Sequence, residues 1–269
     1  MQPEFLNEIN IWSPEILVLL IGSGFLIGVI NTVAGSGTAI GYAVFMALGL
    51  PPAWANGTVR IGVLPQTFAA AFNFWRHKLL DIRNAFRISI PITLGSITGA
   101  QIAVSINQNI FKYVIGAAMI IFMFLILLKP EKWIKGSNIG SRIIPKWWHY
   151  IIYFIIGTYG GFIHIGVGIF LLFALVLISG YDLVRANSLK VFVVFIYTPF
   201  ALTVFIINGE VYYLLGLISA IGNTLGGIFA SKFAIKRGAG FLRWILIIVI
   251  AVFSIYLFKI HELIMAVFS

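Results

Sequence analysis

Asn31-Thr-Val-Ala-Gly-Ser-Gly-Thr38 is a small, polar, glycine-rich break inside an otherwise unbroken run of lipid-compatible residues. It returns later in the chain. Counting 131 positions on from Gly35, Gly37, Gly49 and Asn56 gives Gly166, Gly168, Gly180 and Asn187, and the same ungapped offset relates Thr67 to Thr198, Phe74 to Phe205 and Gly95 to Gly226. Glycine and alanine recur by chance in membrane helices. Chance is a poor account of this many pairs at one spacing, so the sequence reads as a duplication. Paired, glycine-interrupted segments at matching positions of two halves point to a transport site near the bilayer midplane.

Composition fixes the class. With 61% hydrophobic and 10% charged residues over 269 positions and a mean hydropathy of +1.04, the chain lacks the polar surface of a soluble domain. Period-two alternation is absent, so the spans read as helices. The first apolar stretch follows Glu4, Glu8 and Glu15, the wrong flank for a secretory signal, and reads as a retained helix. Without cysteine there are no disulfides, thiolate metal sites or iron-sulfur clusters. No GxxxxGK[ST] motif supports a built-in nucleotide pump. The chain is therefore expected to work without a metal or cofactor.

Spans are expected at Ile16–Val33, Ala39–Leu50, Thr58–Trp75, Ile88–Ile106 and Tyr113–Leu128, then at Trp147–Ile163, Val167–Ser179, Leu189–Ile207, Val211–Ala230 and Phe241–Phe258. The second element of each half is too short: about 12 residues rise only about 18 Å against a core of about 30 Å. Each must start or stop at membrane depth, where irregular backbone survives only when enclosed by protein or lining a cavity. The predicted fold is an all-α polytopic membrane protein with two inverted-topology repeats of about five segments each. Residues 1–130 form the first repeat, 131–146 a basic cytoplasmic linker, and 147–269 the second repeat. Fifteen of the eighteen basic residues fall on one side of this arrangement, which makes that side cytoplasmic and puts both termini outside. The formal charge of +10 records this orientation and contact with anionic lipid, not nucleic-acid binding.

Two constellations flank the breaks. The first holds Asn31, Gly35, Ser36, Gly37 and Thr38 with Asn56, Thr58 and Arg60. The second holds His164, Gly166 and Gly168 with Asn187, Ser188 and Lys190. Asn56-Gly-Thr58 and Asn187-Ser188 read as N-caps, directing helix N-H groups at an anion. Capping alone also accounts for the two asparagines. Arg60 offers a planar fork for an oxyanion, or else snorkels to the interface. Lys190 sits near a cytoplasmic loop, where a solvated lysine is the ordinary case. His164 could pack, donate to a ligand, or carry a coupling proton. The four glycines either permit close packing or open backbone N-H groups.

These segments resemble the sulfite exporter TauE/SafE family. The likeness rests on Ala34-Gly-Ser-Gly-Thr38 followed by Leu48-Gly-Leu-Pro-Pro-Ala-Trp-Ala-Asn-Gly-Thr58, and on Gly166-Val-Gly168 followed by Gly180-Tyr-Asp-Leu-Val-Arg-Ala-Asn-Ser188. Family members often carry a denser glycine run at the first break, and a Gly-Thr pair in place of Asn187-Ser188. The resemblance implies a transporter of sulfite, organosulfonates or related sulfur oxyanions in a bacterial or archaeal plasma membrane. The expected partners are a small anion, membrane lipid and a coupling proton or ion. Two other classes remain: a passive anion channel, and a hydrolase with Ser36 as nucleophile and His164 as base. Ser36 falls opposite Val167 and His164 opposite Val33 in the repeat, so the duplication lends the hydrolase nothing.

Overall fold

The computed structural model describes residues 10–107 and 147–257, with side chains described to Gly238 and at Gly240. The Tyr113–Leu128 span, the 131–146 linker and both chain ends lie outside the described residues. Every described regular element is helical. The elements are α1 (Pro14–Val33), α2 (Thr38–Ala47), α3 (Pro52–Arg76), α4 (Ile82–Ser105), α5 (Trp147–Phe162), α6 (Val167–Phe173), α7 (Leu183–Ile207) and α8 (Tyr213–Leu257). α6 runs on as one π-helical turn, Ala174–Ile178, and α8 is interrupted at Gly238. Pro14–Val33, Ile82–Ser105, Leu183–Ile207 and Tyr213–Gly238 are long and apolar enough to cross a membrane. α3 matches them in length at 25 residues but carries Asn56, Arg60 and Gln66. α2, at 10 residues, rises about 15 Å and cannot cross.

The helix starts correct the sequence reading. α3 begins at Pro52 with Pro51 as its cap, because a proline at N1 gives up an N-H the helix does not need. α7 begins at Leu183, capped by the Asp182 carboxylate, which accepts from the N-H groups of Val184 and Arg185 at 3.1 and 3.0 Å. Asn56 and Asn187 therefore lie in the second turn of their helices. They are not N-caps.

The backbone repeats with the sequence. α3 and α7 start and end 131 residues apart, and so do the left-handed residues Gly35 and Gly166, Gly49 and Gly180, Lys78 and Gly209. The halves interlock. α1 packs on α8 and α5 packs on α4, so the first helix of each half lies against the fourth of the other. Glycines line both seams. A Cβ at Gly24, Gly28, Gly222 or Gly226 would collide with backbone across the α1–α8 seam, and one at Gly95, Gly99, Gly157 or Gly161 would do so across α4–α5. Side chains of equal apolarity to lipid gain little from each other, so backbone contact of this closeness is what holds such helices together. Along both seams the paired helices run parallel. α3 and α7 run antiparallel, since Gly57 lies by Phe205 while the Phe68 ring lies 5.4 Å from the tilted ring of Phe195.

That antiparallel crossing sets the two faces of the bundle. The exposed residues Ser105 and Asn208 lie at one end, and His77 and Arg185 at the other. Because the chain has no native cysteine, single cysteines at these four positions test the arrangement in intact cells. Cysteines at 105 and 208 should react with an impermeant thiol reagent from one side, and those at 77 and 185 only from the other. Labelling of 77 and 208 from the same side would refute this packing.

Candidate functional site

A helix ending inside a membrane leaves its last four carbonyls without intrahelical donors, and no water is there to take them. α5 ends at Phe162 and all four are satisfied. Tyr159 O accepts from Ile163 N at 2.7 Å. Gly160 O and Gly161 O accept from Arg60 Nη2 at 3.2 and 2.7 Å. Phe162 O accepts from Asn56 Nδ2 at 2.8 Å. α1 ends at Val33 by the same scheme with different parts. Ile30 O accepts from the N-H groups of Ala34 and Gly35, and Lys190 Nζ donates to the carbonyls of Asn31, Thr32 and Val33 at 3.2, 2.8 and 3.4 Å. Each broken helix is closed by a cation from the third helix of the opposite half. The negative end of each helix dipole favours that charge.

This settles two sequence readings. Arg60 is fully buried and does not snorkel, and Lys190, 1% exposed, is no solvated lysine. The Arg60 fork is not open to a ligand as a whole. Besides the two carbonyls, Nη2 donates to Asn56 Oδ1 at 3.0 Å, the guanidinium lies 4.9 Å over the Phe205 ring, and Nη1 faces His164 Nδ1 at 3.5 Å. Only Nε has no partner.

The remaining candidates divide between the two breaks. Around the second, His164 Nδ1 also meets Tyr197 Oη at 3.2 Å, Thr38 Oγ1 donates to His164 O at 3.3 Å, and His164 Nε2 has no partner within hydrogen-bonding geometry. Around the first, Asn31 Nδ2 donates to Gln66 Oε1 at 3.0 Å, and Gln66 Nε2 donates to Thr32 Oγ1 at 2.8 Å. Sequence reasoning missed Gln66 and Tyr197. They are repeat equivalents, each one residue before the Thr67/Thr198 pair, and a search for polar residues matched at that offset inside the spans would have found them. Thr58 and Ser188 serve elsewhere, tying each third helix to the far hairpin: Thr58 Oγ1 accepts from Tyr212 N at 2.9 Å and Ser188 Oγ donates to Leu79 O at 2.8 Å. Asn187 is buried one turn before Lys190, and neither amide atom has a partner.

The breaks touch. Gly168 N donates to Gly35 O at 3.3 Å, and a Cβ on either residue would overlap the other's backbone. Gly35 takes φ +80° and Gly166 takes φ +73°, the left-handed conformation that lets the chain turn from one helix into the next. Gly37 precedes α2 with ordinary helical angles. The N-H groups of Gly35 and Gly168 are thus spent within the protein. Ser36 Oγ is buried without a partner and makes no bond to His164, so a nucleophile–base pair is not formed here.

A family model described as sulfite exporter TauE/SafE matches residues 20–257. The chain is 25% identical over 235 residues to a probable membrane transporter protein of Sinorhizobium, covering 87% of this chain and 89% of that protein. It is 24% identical to a probable membrane transporter protein of Haemophilus influenzae, covering 87% and 91% of the two chains. To the probable membrane transporter protein YfcA of Escherichia coli K12 it is 25% identical, covering 93% of each chain. No solved structure matches it at a significant level.

The capping scheme predicts opposite behaviour for two asparagines that the repeat makes equivalent. Asn56→Ala removes the amide donor to Phe162 O and one of the three acceptors of Arg60 Nη2, a loss of roughly 1–3 kcal/mol in total. Asn187→Ala loses no hydrogen bond and should change stability by less than about 1 kcal/mol. Thermal unfolding of the two purified variants in detergent, followed by tryptophan fluorescence, should show a clear loss for the first only.

Proposed function

The chain belongs to the sulfite exporter TauE/SafE family, and from that premise we propose that it is a secondary transporter of a small anion, a sulfur oxyanion or organosulfonate, by alternating access between two inverted halves. The observation that carries the anion is the charge at the breaks. Arg60 and Lys190 are both buried, while among the described residues no aspartate or glutamate is. Each helix C-terminus offsets about half a unit charge. Roughly half a positive charge then remains at each break, in surroundings too poor in water to screen it.

Inversion is supported by the antiparallel α3 and α7, and alternation by the two breaks meeting at Gly35 and Gly168, where a rocking motion of one half against the other would centre. The bound anion would lie against the buried polar groups of the breaks. Coupling to a proton or another ion is compatible with this arrangement.

Purified protein in liposomes should move sulfite or a small organosulfonate at a saturable rate, and faster than rubidium ion or a neutral sugar. Accumulation against the anion's gradient would separate a transporter from a passive channel, and selective movement of the cation would sink the anion reading. Arg60→Lys keeps the charge but cannot reproduce the two-carbonyl fork. It should reduce flux at least tenfold while Lys78→Ala, in the exposed hairpin, leaves flux unchanged.

A further inference from the structure

The two breaks are capped alike but not equally used up. Lys190 has three N-H donors, and three carbonyls take them. Asn31, Thr32 and Gln66 bond to one another beside it. At the second break Arg60 brings five donors to the same task and Nε is left over. His164 Nε2, in a residue with no exposed surface, is left over too. These two spare nitrogens belong to the pair of side chains that meet at Nη1 and Nδ1.

The tautomer follows from what surrounds Nδ1. Arginine can only donate, so Nη1 facing Nδ1 requires a lone pair there, and Tyr197 Oη can supply a second donor to the same atom. A proton on Nδ1 would point at Nη1–H unless Tyr197 Oη or the Gly160 carbonyl beside the ring, which also accepts from Arg60, took it. With Nη1 and Tyr197 Oη as donors to Nδ1, the ring proton is assigned to Nε2, which has no partner within hydrogen-bonding geometry.

Building on the transport reading above, we infer that the substrate is an oxyanion held at the second break only, one of its oxygens accepting from His164 Nε2–H beside Arg60 Nε–H, while the first break is a structural counterpart that takes no ligand. A tetrahedral or pyramidal anion with several oxygens suits two unpartnered donors on side chains that touch each other. The rival at the first break is the unpartnered amide of Asn187.

Two measurements test this. In ¹⁵N-histidine spectra of the ligand-free protein, with His164→Gln identifying the signal, His164 should be the neutral Nε2–H form. An Nδ1–H form or an imidazolium overturns the inference whatever the variants do. Sulfite binding by calorimetry is the second. Glutamine places an N-H near the Nε2 position and asparagine does not, so His164→Gln should bind within about threefold of wild type and His164→Asn at least tenfold more weakly. Asn187→Ala should bind like wild type. Equal binding by both His164 variants, or a tenfold loss in Asn187→Ala alone, moves the ligand to the first break and leaves the transport reading intact. If wild type binds no sulfite but binds a carboxylate such as formate, the sulfur assignment falls and the same variants decide the site on formate. If it binds neither, the anion reading falls and this inference with it.

Discussion

The structure depends on one constraint: a helix that stops inside a membrane must have its last carbonyls satisfied by something other than water. The last carbonyls of α1 and α5 are buried in the protein, and each of these ends is closed by a cation that its own half does not supply. Arg60 of the first half caps α5, and Lys190 of the second caps α1. Neither half can complete its broken helix alone. The same exchange governs the hairpins, where Thr58 holds the turn before α8 and Ser188 the turn before α4. What the sequence presents as two consecutive repeats is, in space, a pair of mutually completed halves.

Glycine lets the neighbouring elements close around the end of α5. A Cβ at Gly160 would meet Val167 and the Tyr197 hydroxyl, and one at Gly161 would overlap Ser96. The two glycines therefore admit different partners, Gly161 the backbone of α4 and Gly160 the side chains of Val167 and Tyr197. At Gly35 and Gly168 the requirement is stricter, since backbone meets backbone and no side chain of any size fits between.

The legible part of this fold was the part encoded by spacing. The 131-residue offset, the short second elements and the glycine breaks all follow from counting, and the described helices lie where the apolar runs put them, apart from ends that extend several residues. The unread part depended on three-dimensional partners. Asn56 and Asn187 look like caps because asparagine before an apolar run usually is one. Pro51 and Asp182 cap the helices more than a turn earlier, and nothing local says that Asn56 faces a carbonyl of the other half. Lys190 looked solvated because its distance from a charged loop was counted along the chain, whereas burial is decided by the helix face it occupies. Tyr197 and Gln66 went unnoticed because a tyrosine and a glutamine do not resemble each other as letters, although each stands beside the break of its own repeat, Gln66 at the first and Tyr197 at the second.

Duplication gives two sites of one geometry, and the difference between an ammonium and a guanidinium then separates their uses. A lysine that meets three carbonyls has nothing further to donate. An arginine one position further along its helix, Arg60 where Val59 is the equivalent of Lys190, closes the other helix with one end of its fork and still holds donors in a fixed plane. The neighbouring residues have diverged the same way, with Val33 opposite His164 and Gln66 opposite Tyr197. At the first break Asn31, Gln66 and Thr32 bond to one another, and Asn187 is left with its amide unpaired. The second keeps a histidine whose outward nitrogen is unpaired in a place where an unpaired polar atom is costly. Val33, the matched position of the first repeat, closes its helix without such a donor, so the needs of the fold do not account for the histidine, and a ligand at His164 is the reading proposed above.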